Sequence, residues 1–190
     1  MRPACSERWN IPTSHGSSPD TPEHLLNAHV LTRKAELEAQ VGRPLQPVAV
    51  EAGPPLSERD REFLLDQAKD LYWNELEWEH LTDEERLGDD LLVEQAFPGL
   101  LAFVRGLLLA EVMPDALAPA SPRPGMVLDL VSFLLQELET RRTEDPEDGE
   151  EPRVSAEIAM TETLVDLVMG LLYGLSPEEM ERVSAARRGG

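Results

Sequence analysis

Along most of the chain, apolar residues recur at spacings of three and four, the pattern of helices that each bury one face. No stretch alternates apolar and polar positions with a period of two between turn signals, and Gln46 to Glu51 comes nearest. A first helix is expected from Thr21, which can cap it, with Pro22 in the first turn and Glu23 at the positive end of the dipole. Leu26, Val30, Leu37 and Val41 form its stripe, which stops near Gly42. Pro44, Pro47, Gly53, Pro54 and Pro55 then mark an extended connector.

The second helix carries the clearest pattern. Ser57 and Asp60 open it, and Leu64, Ala68, Leu71, Tyr72 and Leu76 fall on one face, with Asp66 and Asp70 opposite. Its end is expected near Leu81, where Thr82 and Glu85 make a second capping box. From Leu91 to Met113 the chain is mostly apolar but is interrupted by Pro98-Gly99. A proline biases the residue before it away from helical geometry, so two helices meeting at Pro98 are preferred over one kinked helix. Leu100, Phe103, Val104, Leu107, Leu108 and Val112 cover much of the second one, which is expected at the centre of the bundle.

A further helix is predicted from about Gly125 to Arg142, ending on Arg141 and Arg142 at the negative end of its dipole. Residues 144–151 read as an acidic loop. The last long helix spans roughly Ser155 to Gly174, and Ser176-Pro177-Glu178-Glu179 opens a short terminal one. The fold class is therefore all-α: an irregular bundle of about five or six helices behind a disordered arm. The arm is residues 1–20, rich in proline, serine and glycine; residues 21–55 form the first helix and connector, and residues 56–186 the helical core domain.

Composition narrows the function. The 190 residues include 17 Lys+Arg against 37 Asp+Glu, a net charge of −20, with an isoelectric point near 4.4. A chain so acidic does not bind nucleic acid directly by neutralising phosphates, and does not dock on an anionic membrane. Its most apolar run, Ala96 to Ala110, is 15 residues long, against the roughly 20 that a spanning helix needs. No signal-like segment opens the chain, and its single cysteine, Cys5, cannot pair internally, so a cytoplasmic protein is expected. The acid is not spread evenly. Residues 56–113 hold 15 acidic and 5 basic groups and residues 114–151 hold 10 and 3, whereas the first 55 residues are nearly balanced. One reading is solubility; the other is an acidic surface that steers a basic protein partner.

Candidate chemistry centres on Tyr72-Trp73-Asn74-Glu75-Leu76-Glu77-Trp78-Glu79-His80, where two of the three tryptophans sit among glutamates. An acidic-aromatic helix face built from Asp66, Asp70, Trp73, Glu77 and Trp78 is the expected partner-binding surface. Glu75 and Glu79 lie close to the apolar face and need partners. Arg105, set in a nearly all-apolar helix, is expected to supply one as a buried ion pair, or else to line a pocket for an anion. Glu77 and His80 have the Glu-x-x-His spacing of di-iron bundles, but no second such pair exists for the rest of that constellation. Thr161 and Thr163 are expected to bond back to the preceding helical turn. No phosphate loop, catalytic triad, CxxC or HExxH occurs, so no catalytic residue and no cofactor is assigned. The leading reading is an acidic, all-helical adaptor, assembly factor or regulatory subunit. Behind it stand a bundle that binds a metal or small anion through Glu75, Glu77, Glu79, His80 and Arg105, and a nucleic-acid mimic.

Overall fold

A computed structural model describes residues 22–76, 90–109, 121–146 and 148–189. The helices among them are α1 (Pro22–Val41), α2 (Glu58–Glu75), α3 (Asp90–Ala96), α4 (Pro98–Leu109), α5 (Pro124–Thr143), α6 (Glu151–Tyr173) and α7 (Pro177–Arg188). No strand occurs among the described residues, and Gln46 to Glu51 is irregular. The fold is an all-α irregular bundle, with seven helices in the described residues where five or six were expected. The N-terminal arm, the Thr21 cap, the Thr82 box and Val112 lie outside the described residues.

Helix ends follow local chemistry. Ser57 caps α2 by accepting from the Asp60 N–H at 3.1 Å. Ser176 and Glu179 form a full capping box at α7, with bonds of 3.2 and 2.9 Å. Gly174 ends α6 at φ +60°, and the Leu175 N–H returns to the Gly170 carbonyl at 2.9 Å. A side chain there would be strained in φ and would also meet Val48 Cγ1 at 2.5 Å, so glycine is required twice over.

Two boundaries move. Helix α2 ends at Glu75 rather than near Leu81, because Leu76 is the last apolar position on its buried face and leaves the helix as its C-cap. Helix α6 begins at Glu151 rather than Ser155, since Pro152 suits a first turn and Glu151 favours the dipole's positive end. The break at Pro98 is real: α3 and α4 are separate helices joined by Phe97, whose ring is fully buried and stacks on Tyr72 at 6.0 Å.

One core unites these helices. Leu37 and Leu45 from the α1 region, Leu64 and Tyr72 from α2, Leu100 and Val104 from α4, Leu134 from α5 and Leu164 from α6 belong to the same buried cluster. Val30, Leu37, Val41 and Leu45, from the segment that composition sets apart from the core domain, therefore pack into it: α1 lies against α5 and α7. Helix α4 packs on α2, α3, α5 and α6, and shares the centre of the bundle with α5 and α6. Burying one such aliphatic or aromatic side chain contributes about 1.5–3 kcal/mol. Inside the core, the Tyr72 hydroxyl pairs with Thr161 at 2.8 Å, and Thr161 donates back to the Glu157 carbonyl at 2.8 Å. Thr163 does the same to Ala159 at 3.0 Å, as its place in a helix interior predicted.

Candidate functional site

Helix α2 presents two faces. Inward, Leu64, Ala68 and Tyr72 are buried. Outward, Phe63, Asp66, Asp70 and Trp73 recur at spacings of three, four and three, an arc of roughly 80° at about 100° per residue. All four are exposed, Phe63 at 45% and Trp73 at 40%. Two aromatic rings about 15 Å apart along the helix thus bracket two carboxylates. Asp66 contacts Lys69 at 3.4 Å, an exposed and weak pair that leaves the stripe acidic.

Trp73 is anchored as well as exposed. Its ring meets Tyr72 edge-on at 4.9 Å and Phe133 of α5 at 6.3 Å, and the Arg141 guanidinium lies 5.7 Å from its centroid. Those contacts restrict the indole's rotamers while two-fifths of its surface still faces solvent. A rigid, half-exposed aromatic loses little entropy on binding and suits an interface anchor. Of the expected surface, Asp66, Asp70 and Trp73 are brought together here; Glu77 and Trp78 lie outside the described residues. Phe63 is an addition. The spacing 63, 66, 70, 73 is present in the sequence beside the longer apolar stripe of the same helix.

Glu75 does something else. It accepts from the Gly99 N–H at 2.7 Å and the Leu100 N–H at 3.0 Å, so its carboxylate caps the start of α4. Arg105 is exposed on the side of α4 that faces α6 and α7 and forms no ion pair with Glu75, which corrects the buried pair expected between them. The start of a helix 24 positions along the chain satisfies a half-buried carboxylate as well as an arginine does, because its N–H groups lack helical partners. Glu79, the other expected partner, lies outside the described residues, as do His80 and Cys5.

The same device recurs at α5. Glu51, in the connector, accepts from the Gly125 N–H at 3.1 Å and from buried Arg123 at 3.2 Å, while Arg123 also donates to the Pro54 carbonyl at 2.8 Å. Both helices begin Pro-Gly, with Phe97 or Arg123 where a local capping residue would stand. A Cβ on Gly99 would lie 2.5 Å from Glu75 Oε1, and one on Gly125 would lie 3.3 Å from Glu51 Oε2. Glycine leaves room for a carboxylate from elsewhere in the chain. Glu75→Ala is expected to cost about 1–2 kcal/mol in urea unfolding, the size of a lost cap. Adding Gly99→Ala to that variant should then cost less than it does in the native chain, since both changes disable one interaction.

Three further carboxylates are buried and paired. Glu157 sits between Arg153 at 2.9 Å and Arg141 at 3.5 Å. Asp166, 1% exposed, is shared by Arg33 of α1 and Arg187 of α7; Arg33 Nε donates at 3.0 Å and Arg187 Nη1 at 2.9 Å. Burial pushes the Asp166 carboxyl above the ordinary aspartate range, against the pull of both guanidiniums. A cleft of about 500 Å³ opens over this cluster, with Thr32, Gln40 and Arg142 among its walls. Its charges are spent on one another: Arg33 also holds Glu36 at 2.6 Å, and Arg142 holds Glu162 at 2.5 Å.

Glu179 is the third. The Arg43 guanidinium, at 2.6 Å, and the Ser176 N–H hold its carboxyl down at about 2. A depressed carboxyl stabilises the fold above the unfolded value of about 4.3 and loses that contribution as pH falls towards the folded value. The native chain should therefore lose stability through this group between about pH 4.3 and 2. In Glu179→Gln that part of the acid limb should flatten in urea unfolding followed against pH.

Among the described residues, no three His, Cys, Asp or Glu side chains gather as a metal ion would require. No described helix is long and apolar enough to cross a membrane. No protein family, curated protein or solved structure matches the chain.

Proposed function

We propose that this chain is an acidic, all-helical interaction module, an adaptor, assembly factor or regulatory subunit, that docks a basic protein through the outer face of α2. The observation that carries the reading is the alignment of Phe63, Asp66, Asp70 and Trp73 on one exposed stripe, with Trp73 fixed from behind by Phe133 and Arg141. Aromatic anchors supply contact area that water must leave, and carboxylates beside them set the sign of the partner. Several other acidic groups already serve the fold, as caps at Glu51 and Glu75 and as buried pairs at Glu157 and Asp166. The α2 stripe is where carboxylates face solvent beside exposed aromatic rings.

The immobilised chain should retain basic proteins at low salt. It should release them as salt approaches about 1 M, where the screening length falls to about 3 Å. Retention that is indifferent to salt, or a retained set with no excess of basic proteins, would count against electrostatic docking.

A further inference from the structure

A groove of about 440 Å³ runs between α4, α6 and α7. Leu101, Leu171 and Met180 line its apolar floor. Gly170 lets Met180 close on α6, since a Cβ there would lie 2.5 Å from the methionine sulfur. A methionine over a glycine gives a floor that can adjust to what it receives.

The described residues of the rim are balanced in charge. Glu94 and Arg105 stand on the α3–α4 side, and Glu181 and Arg188 on the α7 side. None of the four forms an ion pair with another described residue, and together they carry no net charge in a chain of −20. Leu109 lies one turn beyond Arg105 on the same side of α4 and is 58% exposed.

We infer that this groove is a self-association surface, in which a second copy of the chain seats its Leu109. The charge pattern selects that occupant. Among the described lining residues, a strongly basic partner finds no excess of carboxylates and a strongly acidic one no excess of cations. A two-fold interface, by contrast, brings each surface against itself, so a rim with one acid and one base on each wall is self-complementary. Across the axis Arg105 of one copy meets Glu181 of the other, and the reverse holds at the symmetric position. On its described lining residues, two copies of a −20 chain approach with balanced charge, next to the apolar area that association would bury.

Sedimentation velocity on the full chain, over a wide range of protein concentration, tests this directly. The expected result is a reversible monomer–dimer equilibrium. Because the copies repel at long range, it should strengthen as salt rises from about 0.05 to about 0.5 M, the opposite sign to docking of a basic partner. Leu109→Asp should weaken the dimer at least tenfold without lowering the melting temperature. Arg105→Glu should weaken it, and Glu181→Arg added to Arg105→Glu should restore it. A chain that stays monomeric at every concentration and salt would overturn the inference. So would a dimer that Leu109→Asp and Arg105→Glu both leave unchanged.

Discussion

Asp166→Ala should unfold at markedly lower urea and temperature than the native chain, with a loss of about 3 kcal/mol. The carboxylate is almost fully buried and is shared by Arg33 and Arg187, so its removal takes one buried anion from two guanidiniums at once, while Arg33 keeps its exposed contact with Glu36. Those side chains keep some solvent access, at 19% and 17%, which holds the expected cost to the lower end of the range for broken buried pairs. For a domain of this size the loss corresponds to a fall in Tm of roughly 6–12 °C. The damage should be local first. Asp166 ties α1 and α7 to α6, so amide exchange in α1 should rise before the α5–α6 core opens. Replacing all three residues with apolar ones of similar size, Asp166→Leu with Arg33→Met and Arg187→Met, should recover most of the stability, because burying the ions is itself costly. If Asp166→Ala melted with the native chain, the cluster would be incidental to the fold.

How far the sequence carried can be read residue by residue. The inward stripe of α2, the separate helices on either side of Pro98 and the capping box at Ser176 were legible because each depends on neighbours within one or two turns. The partner of Glu75 was not. Periodicity placed its carboxylate near the apolar face and chemistry demanded a partner, but a backbone helix start leaves no charge in the sequence to find. Arg105 looked buried because its neighbours are apolar; the helix turns it outward, as it does Ala102, and Arg105 reaches the groove. Arg33, Asp166 and Arg187 stand 133 and 21 positions apart, and no spacing rule joins residues that only tertiary packing brings together. A Pro-Gly start without a local cap, found at both Pro98 and Pro124, is the one sequence signal that could have pointed to the remote carboxylates.

The docking face carries the second large effect. Trp73→Ala removes a half-exposed anchor, and truncating such a residue at an interface centre costs about 2 kcal/mol or more, roughly thirtyfold in affinity. Asp66→Lys with Asp70→Lys acts by another route. It reverses two exposed charges, which should slow association and invert its salt dependence while leaving the fold intact, since neither carboxylate is buried. Phe63→Ala should add to both, being about 15 Å from Trp73 along the helix. Trp73→Ala also gives up ring contacts with Tyr72 and Phe133, about 0.5–1.5 kcal/mol each, so its melting temperature should fall by roughly 2–12 °C while the chain still folds.

The most direct test immobilises the full chain in two forms, native and Phe63→Ala/Asp66→Lys/Asp70→Lys. Both are presented with the same cell extract at low salt, and the captured proteins are identified and titrated one by one. The native chain should retain a basic protein that the folded variant binds at least tenfold more weakly. The same proteins bound equally by both forms would contradict docking through this face of α2.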